Sequence, residues 1–201
     1  MKNYILYLVL LFTIKSGAQK STIYLDDSLN VISKLEFKKP LKQYESITSI
    51  VFDSVKAKVK FNKTYEGKLS DEEHKHLKEE LISGSNIAIL NDDIIVINYY
   101  PGKDKCNSSR NRDFVKNRYQ DYNSQISKLK YVKQFFVYKE LKGIENYGNL
   151  NWLADPNKLI ESTFFKIHYP CGSYVIINKD GTYFSYRGEY NLSSILLAIK
   201  K

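Results

Sequence analysis

The sequence predicts an α/β protein, a mixed sheet flanked by helices and preceded by a small β-rich lobe. Three observations predict it. Apolar runs of strand length at 94–100 and 132–138 bracket a segment in which Val115, Tyr119, Tyr122, Ile126 and Leu129 recur at helical spacing. That pattern describes two parallel strands joined by a helix. Two later short strands, 174–177 and 183–186, flank the turn residues Lys179-Asp180-Gly181 and read as an antiparallel hairpin. A last helix carries Leu192, Ile195, Leu196 and Ile199 on one face. A parallel pair followed by a hairpin requires a mixed sheet with helices on both faces.

In chain order, the first eighteen residues read as a signal peptide. Lys2 opens it, Tyr4 to Ile14 is almost unbroken apolar sequence, and Ser16-Gly17-Ala18 supplies small residues before Gln19. The apolar run is too short to span a bilayer comfortably. The expectation is an exported chain, periplasmic or extracellular, with no stable membrane insertion after cleavage. Residues 19–84 form the β-rich lobe with one helix, and 85–201 the main domain.

Within the lobe, 23–25 is a short strand turned by Asp26-Asp27-Ser28, and 47–52 is a second. In the third, Val55, Ala57, Val59 and Phe61 alternate with Lys56, Lys58 and Lys60, as in a strand with one wet face. Ser70 and Glu73 form a capping box for a helix bearing Leu77 and Leu81, which Gly84 is placed to end. Residues 87–90 read as a further short strand. Asp155-Pro156 reads as a cap with proline at the first position of a helix reaching about residue 164. Trp152, the lone tryptophan, reads as a core anchor in the loop before it.

The chain has 201 residues and a net charge of +9, which falls to +7 without Lys2 and Lys15. Only four of its 31 basic residues are arginines, and the lysines are dispersed. Base and phosphate recognition leans on arginine forks, so this describes a soluble lysine-rich surface and no nucleic-acid partner. No phosphate loop, metalloprotease motif or serine elbow is present. His74 and His76, two apart on a helix, face different sides and make a poor ligand pair.

Cys106 and Cys171 are the only cysteines. Cys106 follows the strand at 94–100 and Pro101-Gly102, where the long helix is expected to begin. Cys171 lies in Tyr169-Pro170-Cys171-Gly172, ahead of Val175-Ile-Ile-Asn-Lys-Asp-Gly181. In order and spacing these segments, with Asp155-Pro156, resemble the thioredoxin-like superfamily, particularly its exported bacterial thiol–disulfide oxidoreductase branch, over about 94–201. Two departures stand out. Cys106-Asn-Ser-Ser109 carries serine where the family's dithiol enzymes carry a second cysteine, and the loop before Cys106 is long and lacks the usual tryptophan. The resemblance implies a cis-proline facing the active cysteine. Pro170 lies about two residues too far from the Asp-Gly turn, and in the other register Gly172 takes that place.

In either register the resemblance brings Cys171 near Cys106. A helix start and the neighbouring Lys103, Lys105 and Arg110 would favour a Cys106 thiolate. Thiol–disulfide exchange then makes Cys106 the attacking and Cys171 the resolving residue, with Ser109, Pro170 and Gly172 contacting substrate. The partners would be protein thiols or disulfides and a reductant. No cofactor or metal is expected. The alternative is a non-catalytic binding or structural module stapled by the same pair, whose enclosed loop of about 65 residues corresponds to roughly 4 kcal/mol in the chain-entropy model. A third reading joins His168 to the two cysteines as a copper or zinc ligand set.

Overall fold

The computed structural model describes residues 22–52, 55–108 and 111–199. The expected signal peptide lies outside the described residues. Strands β1 (Ile23–Leu25), β2 (Glu45–Phe52) and β3 (Val55–Asn62) form a three-stranded sheet in the order β1-β3-β2. Strands β4 (Thr64–Lys68), β5 (Ile94–Tyr100), β6 (Val132–Tyr138), β7 (Trp152–Ala154), β8 (Ser173–Ile177) and β9 (Thr182–Arg187) form the main sheet, in the order β4-β9-β8-β5-β6-β7. The helices are α1 (Lys34–Phe37), α2 (Asp71–Ser85), α3 (Arg112–Ile126), α4 (Leu159–Phe164) and α5 (Leu192–Ile199).

The β5–β6 pair is parallel, β5–β8 and β8–β9 are antiparallel, and α3 makes the β5–β6 crossover. The order β9-β8-β5-β6, with helices after β5, before β8 and after β9, is that of a thioredoxin-like core. To it the amino-terminal region adds β4, paired antiparallel with β9, at one edge. At the other edge β7 pairs in parallel with β6.

Strand alternation divides the core in two. Ile95, Ile97, Tyr99, Phe135, Val137, Val175 and Ile177 face Leu77 and Leu81 of α2, Ile160 and Phe164 of α4, and Val59 and Phe61 of β3. Val96, Phe136, Tyr174 and Ile176 face Tyr122 and Ile126 of α3 and Leu192 and Ile195 of α5. Burying such side chains stabilises by about 1.5–3 kcal/mol each. The small sheet shares the first of these cores.

Local expectations and structure differ at identifiable points. The capping box is present, with Ser70 Oγ accepting from Glu73 N at 3.2 Å and Glu73 Oε2 accepting from Ser70 N at 2.8 Å. Gly84, however, lies inside α2, and Asn86 takes the left-handed position at φ +58°. Packing explains Gly84, since a Cβ there would fall 2.5 Å from Leu153 Cδ1. Residues 87–90 are irregular, and Trp152 begins a strand instead of lying in a loop. Val55 is exposed at the start of β3, whereas Ala57, Val59 and Phe61 are buried.

A buried arginine ties the two sheets together. Arg187 of β9 pairs with Asp27 through Nη1–Oδ1 at 2.8 Å and Nη2–Oδ2 at 3.3 Å. Asp27 also accepts from Asn62 N of β3 at 3.2 Å, while Arg187 N donates to Lys63 O at 2.7 Å. The guanidinium lies over the rings of Tyr65 and Tyr169.

Candidate functional site: a disulfide held between two loops

Cys106 and Cys171 form a disulfide, with Cα atoms 5.0 Å apart. Cys106 is exposed and Cys171 half-buried. One expectation is corrected here: Cys106 does not begin the long helix. The α3 helix starts at Arg112, capped by Asn111, whose side chain accepts from Phe114 N at 3.1 Å. The dipole's field fades within a helix turn, so it does not supply the activation expected of it.

The reason for the displaced start is local. Asp104 Oδ1 accepts the backbone N–H groups of Cys106 and Asn107, both at 2.8 Å, and Asn107 Oδ1 accepts from Asp104 N at 2.9 Å. Aspartate and asparagine compete with helix formation in this way by bonding nearby backbone. Asn107 Nδ2 also donates to Gly102 O at 2.7 Å, closing the loop on itself.

The same carboxylate reaches the second loop. Asp104 Oδ2 accepts from Cys171 N at 2.8 Å and lies 3.0 Å from His168 Nε2. Asn107 Nδ2 adds a bond to Cys171 O at 3.3 Å. Burial pushes the Asp104 carboxyl up, but hydrogen bonds from Asn107, Cys171 and His168 outweigh it and leave its pKa below the ordinary value. The two cysteine loops are therefore held together by a carboxylate as well as by the sulfur bond.

Cys171 adopts φ +75°, a conformation costly for a residue with a Cβ. Gly172 follows at φ +150° and is buried, with a virtual Cβ 3.2 Å from Tyr99 O. Pro170 is half-buried, and no peptide bond among the described residues is cis, so neither register supplies a cis-proline. Ser109 lies outside the described residues. Beneath Cys171 and Gly172, among Tyr99, Tyr119 and Tyr190, the free volume is only about 10 Å³. A reacting group must therefore approach from the Cys106 side.

Below this floor lies a polar network on β5. Asn98 Nδ2 donates to Tyr190 Oη at 2.7 Å, and Asn98 Oδ1 accepts from Gln134 Nε2 at 2.8 Å. Gln134 Oε1 in turn accepts from Tyr122 Oη at 2.7 Å. Buried Asn98 is thereby satisfied, as a polar group inside a sheet must be.

His168 is engaged with Asp104. Among the described residues, the ligating group gathered at the sulfurs is instead Glu189, and one ligand atom from each of Cys106, Cys171 and Glu189 lies within 4.8 Å of the others. Sequence reasoning missed Asp104, Asn107 and Glu189. The Asp104-x-x-Asn107 spacing is a legible turn signal. Glu189 carries none, because its neighbours are reached only through the fold.

No family model matches the chain, and no curated protein matches it. Among solved structures, it is similar to the pneumococcal exposed lipoprotein thioredoxin Etrx1 from Streptococcus pneumoniae, with 14% identity and a TM-score of 0.40, over 55% of this chain and 85% of that one. It is also similar to a DsbF homologue from Corynebacterium diphtheriae, with 10% identity and a TM-score of 0.39, over 60% and 74%. A third is a secreted Mycobacterium tuberculosis disulfide oxidoreductase homologous to E. coli DsbE, with 11% identity and a TM-score of 0.38, over 54% and 81%. This chain's own strand order, β9-β8-β5-β6, and its helical β5–β6 crossover define the thioredoxin-like core. No helix among the described residues is long and apolar enough to cross a membrane.

Proposed function

We propose that this is an exported thiol–disulfide exchange protein, with Cys106 as attacking and Cys171 as resolving thiol. One observation carries the reading: the disulfide is exposed on its Cys106 side, while Asp104 holds the two loops together independently of it. Reduction of the bond leaves that tether in place, so the two thiols stay close enough to react again. In the cycle, the Cys106 thiolate attacks a client disulfide, forming a mixed disulfide and releasing one client thiolate, which takes up a proton. The Cys171 thiolate then attacks Cys106 Sγ, releasing the second client thiolate. The client gains two electrons, and a dithiol partner returns them to the protein.

Pro170, half-buried beside Cys171, is proposed with Ser109 and Gly172 to contact the client. Export is supported by the amino-terminal sequence pattern, and the compartment would be periplasmic or extracellular. The second reading is a structural staple, supported by the separation of 65 residues between the cysteines.

The deciding measurement is the reduction potential of Cys106–Cys171, by glutathione titration with thiol trapping. Exchange chemistry predicts a value within roughly −120 to −270 mV, and one below about −300 mV marks a staple.

A further inference from the structure

Glu189 brings a carboxylate to the cysteine pair, within 4.8 Å of both sulfurs. Its placement is built into the fold. It follows β9, where Gly188 is buried and donates to Ser173 Oγ at 3.4 Å. It precedes Tyr190, whose hydroxyl accepts from Asn98 and whose ring packs edge-on against Tyr174 at 4.9 Å. With both neighbours anchored to β5 and β8, the Glu189 backbone is held where its exposed side chain meets the disulfide.

While the sulfurs are bonded to each other, they offer no thiolate for a cation. Two-electron reduction by a dithiol changes the chemistry, giving two thiols and a carboxylate converging from three points of the chain. Thiolate and carboxylate are both zinc ligands, with bond lengths of about 2.3 Å and about 2.0–2.2 Å. Tetrahedral coordination then asks for sulfurs about 3.8 Å apart, a small opening from the bonded state. The 5.0 Å Cα separation is compatible with it. Asp104, bonded to the backbone N–H of both cysteines, keeps the two loops from drifting apart.

We propose that the reduced protein binds one divalent cation of the zinc class through Cys106, Cys171 and Glu189, with the fourth position open to water or a client group. Binding releases the two thiol protons; a client disulfide, reduced to two thiols as it takes two electrons, then returns Cys106 and Cys171 to the disulfide and the ion is expelled. The inference rests on the pair being reducible, as the exchange reading requires. It goes beyond that reading by making the same site a redox-gated metal site.

The test uses the mature chain reduced with excess dithiol, freed of reductant without oxygen, and assayed for free thiols before Zn²⁺ is titrated against a chromophoric chelator. Co²⁺ serves as a spectroscopic probe of thiolate ligation. The expected result is one ion per chain, a thiolate-to-cobalt charge-transfer band, no such binding by the oxidised protein, and affinity at least about tenfold weaker in Glu189→Gln. Glu189 is exposed, so this variant tests ligation without a burden on folding.

Two free thiols with no ion bound would overturn the metal inference and leave the exchange reading standing. An unchanged affinity in Glu189→Gln, or one ion shared by two chains, would overturn the three-ligand site. Failure to obtain thiols under excess dithiol would overturn both readings.

Discussion

The carboxylate of Asp104 accepts the backbone N–H of Cys171 at 2.8 Å while its other oxygen holds the N–H of Cys106, also at 2.8 Å. One side chain thus fixes both cysteine loops, and several consequences are measurable.

Replacing Asp104 with alanine leaves backbone donors of both loops without their acceptor. The expected cost is about 2–3 kcal/mol in urea unfolding of the oxidised protein. In the reduced protein the variant should also reoxidise more slowly than wild type, because the thiols lose their second tether. Unaltered reoxidation would show that the loops are held by other means.

The Asp104 pKa is lower folded than unfolded. Its stabilising contribution is therefore full above the unfolded value of about 3.9 and is lost as pH falls through the lower folded value. A stability profile below pH about 4 should show this loss in wild type, and Asp104→Asn should flatten that part of the curve.

His74 titrates in a separate window. Burial, aided by Lys78, lowers its pKa, so the folded state resists its protonation. Stability from this group is present above the unfolded value of about 6.5 and declines as pH falls toward the folded value. His74→Gln should remove that step without touching the acid limb assigned to Asp104. A proton-uptake curve of unfolding, measured by calorimetry at several pH values, distinguishes the two.

The cysteines should behave asymmetrically. Under the exchange reading, Cys171→Ser should accumulate a mixed disulfide through Cys106, whereas Cys106→Ser should lose exchange with a nearly unchanged melting temperature. Mass spectrometry after incubation with a disulfide-containing peptide reads the adduct. A large fall in stability with no exchange to lose would favour the staple.

Asp27→Ala should cost about 3 kcal/mol, because Arg187 remains buried without its carboxylate. Adding Arg187→Met should recover part of that loss, which a double-mutant cycle by chemical denaturation would measure.

Gly172→Ala should destabilise by about 1–3 kcal/mol, read as a lower melting temperature. The added Cβ would sit 3.2 Å from the Tyr99 carbonyl oxygen on a backbone at φ +150°.

Much of the architecture was legible because its causes are local. The strands at 94–100 and 132–138, the stripe through Tyr122 and Ile126, the Ser70 capping box and the Asp-Gly hairpin are written in spacing that a few residues determine. The strands β4 and β7 were not legible. Thr64–Lys68 contains Gly67, and Trp152–Ala154 has only three residues, so each depends on a partner strand remote in the chain. The displaced start of α3 lies between these cases, since Asp104 and Asn107 are close in sequence but their bonding to Cys171 spans the domain.

By itself, then, the sequence determined the alternation and helical stripes that make a two-faced sheet, because burial of apolar side chains follows local periodicity. It also placed two cysteines in segments that such a topology can bring together. Only the tertiary structure decided that Cys106 lies in a loop instead of on a helix terminus, that Asp104 clasps both cysteine backbones, and that Glu189 reaches the sulfurs. Those are contacts between residues remote in the chain, and hydrogen bonds and ligand geometry of that kind have no periodicity for a sequence to display.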